Sequence, residues 1–310
     1  MEKDKPIKDL EPLEIPDFIP FTSDFGFKTT FGNEKNTLFL TRALTALTQS
    51  QHKIVKVVFD KTVYSGLTKS GRSGIFDLAC TDERGNTFIV EMEVRANRDF
   101  LQRLKFYAFL RFNNFIEKGE KEYDKLPKLY AISFLGKNIN TLPHYHNVLS
   151  FKNQDGIEVD SQMTLITVEL KKFKIKAKDV KTDLEKLIFT VKNAKRMVKV
   201  PKNKQPKFMQ EDWLATALHE LDTKAFSPQK YEAYMRALVQ EKERKTELEN
   251  AEAKGKKAGK TEGKAEGKAE GKAEAIAQML RKGVSIQQIA DFTDYDIAFI
   301  ESVKAKFRIA

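Results

Sequence analysis

A single cysteine, Cys80, stands among the 310 residues. It excludes an internal disulfide, and with no CxxC pair there is no cysteine-built zinc cluster. Any metal bound here would be a hard cation held by oxygen ligands. Long apolar runs are also missing. None reaches the roughly 18 residues that a membrane span needs, and the opening MEKDKPIKDLEP is charged where a secretion signal has its apolar stretch. A cytoplasmic protein with no membrane partner is the expectation. The chain is 41% apolar and 32% charged, a globular composition long enough for one sizeable core and an accessory region.

The net charge of +11 is unevenly spread. Residues 1–136 hold 21 Lys/Arg against 19 Asp/Glu, whereas Lys171 to Lys207 holds 14 basic and 3 acidic residues. A concentrated basic stretch suits a phosphate-backbone binder, because each neutralised phosphate releases counterions. Lys171, Lys172, Lys174, Lys176, Lys195, Arg196 and Lys199 are the candidate DNA contacts. A solvated lysine-rich face is the plainer alternative.

Along the chain, residues 1–20 are rich in Pro and charge and read as an extended arm. Leu38, Leu40, Leu44 and Leu47 mark a helix over Thr37 to Gln49. Strand candidates come next at Ile54 to Tyr64, Ile75 to Thr81 and Phe88 to Val94, separated by Gly-containing turns. Asp99 opens an amphipathic helix that Gly119 ends, and KLYAISFL reads as a buried strand. The order α-β-β-β-α-β predicts an α/β fold, a mixed sheet flanked by helices, over residues 21–136. Residues 137–251 carry one further strand, Met163 to Phe173, and are otherwise mostly helical and basic. Residues 252–273 repeat glycine every four positions and read as a semi-flexible linker, since each Gly costs a helix about 1 kcal/mol relative to Ala. A helix with a glycine stripe that seats a partner helix is the alternative. Residues 274–310 form a small helix-turn-helix-like tail, with Ser285 and Gln288 as a capping box. Asp294, Asp296 and Glu301 oppose DNA contact there, which favours an assembly role.

The sharpest chemistry lies in GIFDLACTDERGNTFIVEMEV, Gly74 to Val94. If Glu83, Arg84 and Gly85 form a three-residue hairpin loop, Asp82 pairs with Asn86 and Asp77 falls opposite Glu91. Glu93, two residues on, shares the face of Glu91. Acidic residues gathered on otherwise apolar strands are costly unless a cation compensates, and Mg2+ or Mn2+ is the natural one. A solvent-facing acidic hairpin is the bland reading. His144 and His146 in PHYHN read as a surface loop.

The acidic triplet, the opening SDFGFKTTFG, the helix RLKFYAFL, the strand KLYAISFL, the VELKKF segment near Glu169 and the EGK-repeat tail together resemble the PD-(D/E)XK nuclease superfamily. Within it the chain is most similar to the bacterial recombination-promoting nucleases and transposase-like proteins. The resemblance implies a restriction-endonuclease-like core and Mg2+-dependent (or Mn2+-dependent) endodeoxyribonuclease activity tied to recombination or mobile elements in a bacterial cytoplasm. It implies metal binding by Asp77, Glu91 and the carbonyl of Met92, with Asp24 as a further acidic member of the site. Arg103 and Tyr107, one helical turn apart, are candidates to support the site, with Arg103 either a phosphate clamp or the partner of a core carboxylate. Glu93 stands where the superfamily usually has Lys and this family often has Gln. A carboxylate there would take a proton from the attacking water or hold a second metal, not stabilise the transition state by positive charge. Two further readings remain open: a catalytically weak or inactive DNA-binding or assembly module on the same fold, and a homo-oligomer built through the C-terminal repeat and tail.

Overall fold

The computed structural model describes residues 16–64, 74–96, 99–115 and 125–309. In chain order the helices and strands are α1 (Asp24–Thr30), α2 (Leu38–Thr48), β1 (Val57–Phe59), β2 (Val63–Tyr64), β3 (Gly74–Ile75), β4 (Leu78–Asp82), β5 (Thr87–Glu93) and α3 (Phe100–Asn113). They continue as β6 (Leu129–Leu135), β7 (His146–Lys152), β8 (Glu158–Glu169), α4 (Asp183–Met197), α5 (Asp212–Glu220), α6 (Pro228–Arg281), α7 (Ile286–Thr293) and α8 (Ile297–Lys306). Contacts divide the chain into Met1–Tyr234 and Met235–Ala310.

The first unit is built on a six-stranded mixed sheet in the order β1-β4-β5-β6-β8-β7. β5, β6 and β8 run parallel and the remaining pairs are antiparallel. The mostly apolar character of β6 reflects burial on both faces. On one face α3 packs Phe100, Leu104 and Ala108 against Ala79, Ile89 and Ala131. The expected hairpin loop forms: the Asp82 N–H donates to Asn86 O at 2.9 Å, and Gly85 adopts φ 81°, where glycine carries no Cβ penalty.

The sheet does not stop at residue 136. The whole length of β6 pairs with β8, from Leu129↔Met163 to Leu135↔Glu169, and β7 adds an edge. Residues 137–169 thus belong to the core, and the expected strand over Met163 to Phe173 begins earlier and ends at Glu169. The candidate Ile54 to Tyr64 splits into β1 and β2, and β2 pairs with β3 in a separate ribbon. The end of the expected arm is packed: Phe18 and Ile19 are buried, and the Ile19 N–H donates to Leu221 O at 2.9 Å. Residues 1–15 of that arm, and Gly119, lie outside the described residues. His146 is no surface loop residue. It opens β7 with its Nε2 2.8 Å from Leu47 O.

The expected linker over residues 252–273 is helical, as part of α6. Once a helix propagates, each added residue needs only its own hydrogen bond, so Ala, Glu and Lys carry it through the repeat glycines. The tail forms as expected. The Ser285 hydroxyl accepts from Gln288 N–H at 3.3 Å, and Ile276, Ile289, Ile300 and Val303 are buried together in a small core. Asp294 takes a left-handed conformation after α7, and Asp296 caps α8. No helix among the described residues is long and apolar enough to cross a membrane.

Candidate active site

Asp77 sits between β3 and β4, one residue before the pair Leu78↔Val90. The antiparallel ladder therefore brings it opposite Glu91 on the face that α3 covers. Two hydrogen bonds lock the pair. The Asp77 N–H donates to Glu91 Oε1 at 3.1 Å, and the Met92 N–H donates to Asp77 Oδ2 at 2.9 Å. Glu91 is only 7% exposed. Burial first, and then the neighbouring Asp77 carboxylate, push its carboxyl up to about 8. Burial also raises Asp77. The Met92 N–H opposes that, the Asp24 carboxylate adds to it, Lys28 offsets part of it, and Glu93 raises it again.

Asp24 and Lys28 on α1 lie near enough to Asp77 for their charges to act on it. Ser23 caps the helix, accepting from the Gly26 N–H at 3.1 Å and donating to Pro20 O at 2.9 Å. Asp24 and Lys28 pair one turn apart at 2.9 Å. Gly26 allows the close approach: a Cβ there would lie 2.1 Å from Pro20 O. The i,i+4 spacing in SDFGFK already places Lys28 on the helical face of Asp24, although only Asp24 was expected at the site.

Glu93 is already engaged. Its carboxylate forms an ion pair with Arg103 of α3 and accepts from the Arg95 N–H at 3.0 Å. A guanidinium thus stands beside the position where the motif's usual lysine would be. α3 is held in place by Arg111, two turns further on, whose Nη2 lies 2.7 Å from Asp60 Oδ2. Asp60 also accepts from the Thr81 hydroxyl at 2.8 Å. Tyr107 supports the site through packing. Its ring lies edge-on to Phe76, centroids 5.3 Å apart, and so steadies the residue preceding Asp77.

The candidate DNA contacts fall in several places. Lys171, Lys174 and Lys176 come after β8 and are exposed, Lys195 and Arg196 are exposed in the last turn of α4, and Lys199 lies just beyond it. Lys172 is the exception. Its ammonium lies 2.9 Å from Glu169 Oε1, a fully buried carboxylate, and 2.9 Å from Asn140 Oδ1. Its side chain serves the fold.

A family model for the PD-(D/E)XK nuclease family transposases matches residues 21–251. The chain belongs to that family. The match begins just before α1 and takes in the whole six-stranded sheet, so the mixed sheet with its flanking helices is the restriction-endonuclease-like core expected from the sequence. No curated protein and no solved structure matches the chain significantly.

The donor set fits a hard divalent cation. No described cation forms an ion pair with Asp77 or Glu91, so the buried pair lacks direct compensation. In the same sheet row Glu91 neighbours Ser133, and Ser133 neighbours Thr167; both hydroxyls are buried and without a hydrogen-bond partner. Among the described residues no three His, Cys, Asp or Glu side chains gather to hold a metal. The carboxylate pair offers oxygen ligands of the kind that a hard cation such as Mg2+ takes.

Proposed function

We propose that this family member is a Mg2+- or Mn2+-dependent DNA endonuclease with its reaction centre at Asp77 and Glu91, acting in recombination or in movement of mobile elements. The observation that carries the reading is the interlocked, buried carboxylate pair at the sheet end, short of positive charge, in a chain of a nuclease family. Asp77, Glu91 and the Met92 carbonyl would hold the ion. When bound, it supplies charge neutralisation at the phosphate and lowers the pKa of a water.

The residues around the pair have separate tasks in this reading. Glu93 fixes Arg103 through the ion pair, and Arg103 brings the positive charge that the motif's lysine would otherwise bring to the developing phosphorane. With its carboxylate held by Arg103 and the Arg95 N–H, Glu93 is better placed to orient that guanidinium than to take the proton of the attacking water. Asp24 and Lys28 tune the field at Asp77, and Tyr107 holds Phe76 beneath it.

Supercoiled plasmid incubated with the purified full chain and Mg2+ or Mn2+ should be nicked or linearised, and Asp77→Asn should abolish the cutting. Equal cutting by Asp77→Asn would remove the site assignment. DNA bound but cut in neither metal would favour the scaffold reading.

A further inference from the structure

β5, β6 and β8 are parallel and in register, with Glu93 beside Leu135 and Leu135 beside Glu169. The chain leaving β8 therefore emerges at the same end of the sheet as Asp77 and Glu91. The offset is two strand spacings, about 10 Å. The emerging segment is anchored at its start. Fully buried Glu169 accepts from the Lys172 ammonium and from the Ile139 N–H at 3.0 Å, and buried Phe173 packs edge-on against Tyr145, centroids 5.0 Å apart. Beyond that anchor Lys174, Lys176 and Lys178 are exposed at alternate positions. With Tyr145 they line an open cavity of about 540 Å3 whose one acidic group is Asp179. From α4, Lys192 reaches Phe173 O at 2.5 Å. Burial lowers its ammonium, and Lys174 and Arg196 are close enough to lower it further. Cations crowd here with little acid to balance them, which is what a polyanion would relieve.

We propose that Lys174, Lys176 and Lys178 form a phosphate track that holds the DNA backbone to one side of the bond to be cut, beyond the end of β8. The position of the cut rests on the nuclease reading; the track itself does not. The anchoring of Lys172 to Glu169 gives the track a fixed position on the sheet. Glutamine at these exposed positions removes charge without disturbing a packed group.

The test is fluorescence anisotropy with a short labelled duplex, in EDTA, across a series of salt concentrations. It uses the intact chain, the triple variant K174Q/K176Q/K178Q, and the charge-preserving K174R/K176R/K178R. In a plot of log affinity against log salt, the glutamine variant should have a slope less steep by about 3, and the arginine variant should keep the wild-type slope. With Mg2+ and plasmid, the glutamine variant should cut with raised KM and unchanged kcat, and it should melt as the wild type does. A wild-type slope in the glutamine variant, or no binding by the wild type, overturns the track. The two readings fail separately. Cutting by the glutamine variant with wild-type slope ends the track alone. A wild type that binds through these lysines but never cuts ends the nuclease reading alone.

Discussion

Arg103 and Glu93 form a reversed version of the motif's usual chemistry, with the carboxylate on the strand and the cation on the helix above it. If that guanidinium faces the phosphate, Arg103→Ala should lower kcat by about 10²–10³, the cost of losing one stabilising group at a developing charge, while plasmid affinity changes little. Steady-state cutting rates check this, and an unchanged kcat would leave Arg103 as a structural residue. His146 offers a separate, pH-linked measurement. A carbonyl only accepts, so Nε2 carries the proton given to Leu47 O. Burial lowers its pKa below the ordinary value of 6.5, opposed by that hydrogen bond. As pH falls below about 6.5 the unfolded chain takes up a proton that the folded chain refuses, so stability drops. Melting curves of His146→Asn should depend less on pH in that window than those of the wild type. The Asp77 and Glu91 pairing was legible in the sequence, because Gly85 and a three-residue loop set the register. That Arg103 pairs with a carboxylate was one of the two readings the sequence offered; that the carboxylate is Glu93 was not legible, since it depends on where α3 lies over the sheet, a matter of packing far along the chain.

α3 shows how an element carries the site. Leu104 is fully buried between the helix and the sheet, and Arg103 precedes it on the turn that meets Glu93. Leu104→Ala should cost about 2–5 kcal/mol in urea unfolding, from lost burial and the cavity left behind. A loss near zero would mean that α3 is held by Arg111 and Asp60 alone. The helix α2 was legible within about one residue at each end from its apolar spacing. β7 was missed because it is an edge strand whose residues are at most half-buried, which blurs alternation. With β7 absent, β8 had no visible hairpin partner, and the core seemed to end at 136. The repeat in α6 was misread for a different reason. Glycine propensity was weighed residue by residue, whereas helix formation is cooperative along the segment.

At the scale of the whole molecule, the family match covers residues 21–251 and the described sheet lies wholly inside it. The α7 and α8 core lies beyond the match, with its own buried cluster. Charge is divided in the same way: the buried Asp77 and Glu91 pair lies in the near-neutral first part, and the basic surplus lies in Lys171 to Lys207, which begins where β8 leaves the sheet. The central claim is that this sheet end is a divalent-cation site. It is tested most directly by titrating the intact chain with Mn2+ and monitoring free Mn2+ by electron paramagnetic resonance, beside Glu91→Gln and Glu93→Gln. The account predicts that the wild type and Glu93→Gln take up Mn2+ at a site that Glu91→Gln has lost. Equal uptake by wild type and Glu91→Gln would contradict it.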